Sequence, residues 1–291
     1  MSSDIMPMTE PRPRRQRSQG SGATDAALLF DEPGPRGRIL IAIGSVVAVI
    51  GIAALAAAVL YRLDLAGQLD YPKWRYFLGQ SVVSQLLEAA GTTLTLGGVA
   101  AVLTFPLGIA LGWLRLLDNR PIKWLVGLWI DAMRAVPMLL LVYFFLLVVP
   151  RFATISDFWK LALPIVMCTS ATTAEVFRSG VRALDRGQTE AAWALGMSPS
   201  LTMRLILAPQ ALRLMLPTLI TQMVTIIKGT TLAYVLAYPE LMYRGSTMIG
   251  QAKIDAHLSV FFQTYVIIAL LYIIVNWSLG ALARYIESRT R

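Results

Sequence analysis

Residues 167–180 read MCTSATTAEVFRSG, which sets a carboxylate, Glu175, inside a long apolar stretch. An ionisable group in such a place is costly and faces a cavity or a partner. Thr172 precedes Glu175 by one helical turn, so hydroxyl and carboxylate share a face. Together they can receive an ammonium group. A plainer use of the same residues is an intrahelical ion pair between Glu175 and Arg178, spaced i, i+3.

Three more constellations sit in apolar surroundings. Thr221, Gln222 and Thr225 line one broad helical face, either as a polar lining or as hydrogen-bond partners for a neighbouring helix. Asp131 and Arg134 are again three apart and read as a structural pair. Pro137 kinks the chain just beyond them and frees backbone carbonyls beside Met138, a candidate lining residue.

Little else could do covalent chemistry. The chain has one cysteine, Cys168, and one histidine, His257, far apart in sequence. That excludes a disulfide framework and argues against a metal centre or a Cys–His nucleophile pair. No phosphate-cradling glycine loop is present, so any use of ATP and Mg places them on another subunit.

The elements that position these residues follow from composition. Of 291 residues, 56% are hydrophobic and 15% are charged, against about a quarter charged in a soluble domain. The apolar residues form runs long enough to cross a bilayer, so the fold class is all-α, a polytopic membrane protein. Six spans are predicted, near 39–60, 86–117, 124–149, 158–182, 213–236 and 259–281. Residues 1–38, rich in Pro, Arg, Gly and Ser, read as a disordered basic tail. Residues 39–61 form a first helix, with an apolar core too long for a cleaved signal peptide. Residues 62–85, carrying Tyr71, Trp74, Tyr76 and Phe77, form an interfacial segment on the outer side. Residues 86–285 form the main body. The net charge of +9 sits in connectors rather than in a groove-tracking stripe, which argues for topology and against nucleic acid. The arginines and lysines cluster on the side of both termini, so both termini are expected in the cytoplasm.

One connector on that side is unusual. Residues 189–217, TEAAWALGMSPSLTMRLILAPQALRLMLP, carry helix signals interrupted in the middle. Asp185 is a good N-cap, Gly196 suits a left-handed helix end, and Ser198–Pro199 suits the start of a second short helix. Pro209 and Pro217 restrict where regular helix continues. The result is a bent pair spanning loop 185–216, with Trp193 as a large anchor. Composition leaves two uses open, an amphipathic pair lying under the bilayer or a docking site.

Glu190, Ala191, Ala192, Gly196, Ile206 and Pro209 match the pattern of the EAA loop found in permease subunits of bacterial ABC importers. Ala208 stands where Leu is usual. The segments AEVFRSGVRALDRGQTEAAWALG, APQALRLMLP, IIKGTTLAYVLAYPEL and MRAVPMLLLVYFF are similar to the polar-amino-acid branch of that family, over roughly residues 86–285. The resemblance implies a five-helix permease core with one added N-terminal helix, in the bacterial cytoplasmic membrane. It implies transport of a polar or charged amino acid, with no enzymatic activity in this chain. It implies an ATP-binding subunit dimer, a second permease subunit and a periplasmic binding protein as partners, besides membrane lipid. Glu190, Ala191, Ala192, Trp193, Gly196, Met197 and Ser198 would then meet the ATP-binding subunit. Glu175, Thr172, Thr221, Gln222 and Met138 would contact substrate. Gly229 replaces an acid that the branch often carries after Lys228. The competing expectation is a secondary transporter driven by an ion gradient, with Glu175 as coupling site; no internal repeat of the usual kind accompanies it.

Overall fold

The computed structural model describes residues 34–290; the basic tail expected over 1–38 falls almost wholly outside them. Helix α1, Pro35–Leu65, forms one unit, and residues from Ala66 onward form a second. Pro35 occupies the first helical position, where its missing N–H costs nothing, so the helix starts earlier and ends later than expected. Its apolar side chains, such as Leu40 and Ile52, are exposed.

The second unit is helical throughout, with no strand among the described residues. A short helix α2, Tyr71–Arg75, and a 3-10 turn, Tyr76–Leu78, lie within the segment 62–85. Then come α3, Gln80–Leu114; α4, Arg120–Ala135; α5, Met138–Leu147; and α6, Asp157–Arg182. The elbow begins with α7, Arg186–Ala194, followed by α8, Pro199–Thr202, and a π-turn, Met203–Leu207. The chain continues through α9, Ala208–Gly229, and a 3-10 segment, Thr230–Leu236. Helices α10, Leu241–Asp255, and α11, Phe261–Thr290, complete it.

Two expected elements are corrected. The span over 124–149 is a pair, α4 and α5, bent by 95°. Val136 and Pro137 are both extended at the break, because the residue before a proline is driven out of helical geometry. The second short helix of the elbow is the first turn of a long helix running Pro199–Leu236. Pro209 does not stop it. The widened π-turn lies just before Pro209, where the missing N–H and the ring disturb regular bonding.

Among the described residues four helices are long and apolar enough to cross a membrane, and the bent pair, counted as one span, gives a fifth. The fourth expected span, α6, is not among these apolar helices. It packs against α3, α4, α5 and α9, so its polar groups meet protein rather than lipid. Small residues let α3 approach: a Cβ on Gly108 would lie 2.6 Å from the Thr173 Cβ. Beside them the Thr104 and Thr169 hydroxyls meet at 2.8 Å. Leu161, Ile165, Ala171, Ala174 and Phe177 of α6 are buried.

Candidate functional site

The elbow is built by local hydrogen bonds. Asp185 caps α7 by accepting the Gly187 N–H at 2.7 Å. At the other end Gly196 adopts φ +77°. The Gly196 N–H bonds to the Trp193 carbonyl and the Met197 N–H to the Ala192 carbonyl, at 2.9 and 3.0 Å. This is the paired bonding of a Schellman helix end. A Cβ on Gly196 would meet nothing within 4 Å, so conformation and not space requires glycine there. Ser198 then accepts the Leu201 N–H at 3.4 Å, with Pro199 in the first turn.

Of the expected docking residues, Glu190, Ala191, Trp193, Gly196 and Ser198 are exposed, and Met197 is half-buried. Ala192 is the exception: it is 1% exposed. Its neighbour on the helix faces away, so Ala192 supports the elbow from within. Leu195, 82% exposed, stands beside the bend and was not singled out from sequence, where it passes for ordinary helix filling. A groove of about 410 Å³, lined by Arg182, Asp185, Arg186 and Thr189 together with Val181, Leu184 and Leu207, lies where α6 meets the elbow. Gln210 of α9 donates to Gln188 of α7 at 3.3 Å, tying the elbow to the long helix.

The second feature is an ionic cluster. Glu175 accepts from Arg178 Nε at 3.1 and 3.2 Å and from Arg178 Nη2. The intrahelical pair is therefore formed. Arg115, the residue that ends α3, reaches the same carboxylate at 3.1 Å. Arg115 also holds Asp131 of α4 with both guanidinium nitrogens, at 3.0 and 3.2 Å. The expected Asp131–Arg134 pair is thus replaced. A planar guanidinium from a neighbouring helix can bind a carboxylate through two bonds. Arg134 has no hydrogen bond or ion pair among the described residues, although its charge acts on Glu175. A Glu175 held by two guanidiniums is poorly suited to exchanging cations, as the ion-gradient reading requires.

The remaining expected substrate residues do not converge on this cluster. Thr172 donates back to the Cys168 carbonyl at 3.3 Å. Thr221 and Thr225 donate within α9, to the carbonyls of Pro217 and Thr221 at 3.1 and 3.0 Å. Both are exposed, as is Lys228 one turn on, while Gln222 is half-buried. Met138 packs with Ile165 and Ile226, and its sulfur lies 3.5 Å from where a Gly229 Cβ would be. It therefore fills space at the start of α5. Among the described residues, no group of His, Cys, Asp and Glu could hold a metal ion.

A third polar centre escaped sequence reading. Glu240 is fully buried and caps α10, accepting the Met242 and Tyr243 N–H groups at 2.9 and 2.8 Å. It also accepts the Tyr272 hydroxyl at 2.7 Å. Burial holds its carboxyl above the usual range, against the lowering effect of these donors. In sequence it is an acid in a loop, beside Pro239.

Residues 104–291 match the family model described as binding-protein-dependent transport system inner membrane component. The chain belongs to this family. It is a permease subunit of an ABC transport system, and its apolar helices fit a multi-pass inner-membrane component. It is 34% identical to the glutamate transport system permease protein GluD of Corynebacterium glutamicum, over 77% of this chain and 82% of the relative. It is 33% identical to the probable glutamine ABC transporter permease protein GlnP of Bacillus subtilis, over 68% and 89%. Its fold resembles a crystal structure of an amino acid ABC transporter with histidines, with TM-score 0.64 and 24% identity over 72% and 95% of the two chains. The permease thus keeps the helical core expected from the EAA pattern.

Proposed function

We propose that this permease moves a polar or charged amino acid across the bacterial cytoplasmic membrane, driven by ATP hydrolysis on separate subunits. The carrying observation is the elbow: Glu190, Trp193 and Leu195 are exposed on a short helix whose two ends are fixed by Asp185 and Gly196. A rigid projecting helix suits insertion into a groove of an ATP-binding subunit. The relatives named for glutamate and glutamine transport support the substrate class.

In this reading two ATP-binding subunits engage the elbows of two permease subunits, and an external binding protein delivers substrate. ATP, with Mg, binds one global state better than the other, and that differential affinity shifts the route between inward and outward access. The charge distribution supports cytoplasmic termini. The exposed polar stripe Thr221, Thr225 and Lys228, with Gln222 beside it, is unsuited to lipid and fits a wall of the route. Glu175 and Thr172 lie on α6, which packs on α9, and Met138 shapes the packing behind.

The test is uptake of radiolabelled amino acids into proteoliposomes holding the permease, its ATP-binding subunit and its binding protein. Accumulation should require enclosed ATP and should follow stimulation of ATP hydrolysis by loaded binding protein. Uptake that survives ATP depletion and collapses with the proton gradient would defeat this function.

A further inference from the structure

Among the described residues, two that are not glycine adopt left-handed backbone: Ala237, φ +52°, and His257, φ +56°. They flank one helix, α10. A side chain in this region is strained, because its Cβ crowds the following carbonyl oxygen. Such strain persists only where the surroundings hold it, and it collects at switch regions. At Ala237 the chain is held by its own N–H on the Tyr234 carbonyl, at 3.1 Å, and by the Tyr238 N–H on the Ala233 carbonyl, at 3.2 Å. After His257 the Leu258 N–H bonds to the Ala252 carbonyl at 3.1 Å. The N-terminus of α10 is clasped to two other helices. Buried Glu240 accepts the Tyr272 hydroxyl of α11 at 2.7 Å. The next N–H, that of Leu241, donates to the Thr93 hydroxyl of α3 at 3.1 Å. Further along, Met248 and Ala252 pack with Phe77, Val82 and Leu86.

The same helix meets the polar stripe of α9. Thr221, Thr225 and Lys228 are exposed along one face. Beyond Gly229 the chain tightens into the 3-10 segment Thr230–Leu236. Three residues make a turn there, so Thr231 and Tyr234 continue the line from Lys228. Tyr234 is 47% exposed. The ring of Tyr243, in the first turn of α10, lies against it with centroids 6.4 Å apart and planes inclined by 57°. The stripe that fits a wall of the route therefore ends against α10. Ala237 lies between these two tyrosines in the chain, so rotation there would part their rings.

We propose that α10 is the outer gate of the route, with Tyr243 closed on Tyr234, Ala237 and His257 as hinges, and the Glu240–Tyr272 and Leu241–Thr93 bonds as the clasp. The proposal rests on the importer reading above and names the element that opens on the outer side. Opening costs the clasp its hydrogen bonds, and relief of strain at the two hinges offsets part of that cost. ATP binding then needs only a modest differential affinity to shift the gate.

The test uses the permease–ATP-binding-subunit complex in proteoliposomes with its binding protein. A Tyr234→Cys/Tyr243→Cys double variant is treated with a short cleavable thiol cross-linker, and wild type, carrying only the buried Cys168, is the control. Linkage should form readily without nucleotide and fall sharply when ATP and vanadate trap the complex. Linked complexes should stop uptake until a reductant cleaves the bridge. Tyr272→Phe weakens the clasp and should raise ATP hydrolysis in the absence of loaded binding protein, by roughly threefold to tenfold. Ala237→Gly removes strain from the closed gate alone and should lower hydrolysis stimulated by loaded binding protein, by roughly fivefold. Linkage that is equally fast in the trapped complex, or linked complexes that still transport, would overturn the proposal while leaving amino-acid import standing. Tyr272→Phe that lowers the unfolding temperature and leaves hydrolysis unchanged would overturn the clasp by reducing it to a structural contact. The linkage and Ala237→Gly measurements stand whether or not Tyr272→Phe folds. Hydrolysis in wild type that ignores loaded binding protein, with linkage still responding to ATP, would overturn the importer reading and uphold a moving α10.

Discussion

Arg115 donates to Glu175 at 3.1 Å, joining the end of α3 to a residue two turns inside α6. The same guanidinium holds Asp131 of α4, so one side chain ties three helices together. Glu175 and the two arginines that meet it are roughly four-fifths buried, where charge pairs are weakly screened.

Replacing Arg115 with Gln should therefore destabilise the permease by about 1–3 kcal/mol, because the largely buried Glu175 loses one of its two guanidinium partners; the exposed Asp131 adds little. Thermal unfolding in detergent measures this. Arg115→Lys should restore only part, since an ammonium cannot make the two-nitrogen grip. Combining Arg115→Gln with Asp131→Asn should cost less than the two changes summed. Strict additivity would mean that the pair contributes nothing.

Gly196 provides a separate test of coupling. A non-glycine residue at its left-handed conformation costs about 1–2 kcal/mol, but no neighbour crowds a new side chain. Gly196→Val should therefore disturb the elbow and leave the spans folded. The expected result is loss of ATPase stimulation by loaded binding protein, with the unfolding temperature of the spans unchanged. Gly196→Asn should be milder, since asparagine tolerates this backbone region. Full coupling in the valine variant would contradict the role given to the elbow.

Trp193 and Leu195 should matter for assembly and not for folding. Both are exposed, so alanine at either position should change stability by no more than about 0.5 kcal/mol. If they anchor the ATP-binding subunit, each loss should weaken association by about 2 kcal/mol, roughly 30-fold. Pull-down titration of the ATP-binding subunit reads this directly. Ala192 should behave in reverse. Enlarging it to Leu should distort the elbow from within and lower stability.

Glu240 predicts a pH effect. Its folded carboxyl titrates above its unfolded value, so the native state keeps that proton to higher pH. Its contribution to stability is fully present below the ordinary carboxylate range and declines as pH rises through the raised folded value. Glu240→Gln cannot titrate. Unfolding temperatures of the two proteins, compared between about pH 4 and pH 7, should show wild type losing ground to the variant as pH rises. A pH-independent difference would show that the carboxyl stays in one protonation state throughout.

Much of this architecture is legible in the chain itself. Apolar runs, connector charges and capping residues report local physics: bilayer thickness sets helix length, and Asp185, Gly196 and Ser198 act on backbone within a few residues. The caps of the elbow were accordingly readable, although its second helix runs on past Pro209 and Ala192 turns inward. The Pro137 break was readable as a kink, although its 95° angle was not.

Long-range partners were decided only by the tertiary structure. Nothing near Arg115 in sequence marks it as the partner of both Asp131 and Glu175. The Asp131–Arg134 spacing pointed instead to a neighbour one turn away. Pro209 was expected to restrict regular helix, and the long helix passes through it just after a widened turn. Glu240 is a loop acid in sequence, and only the fold buries it against Tyr272. A hydrophobic period or a cap is set by residues within a turn or two, and so it is written in order along the chain. Which guanidinium reaches which carboxylate depends on helices that meet only after folding.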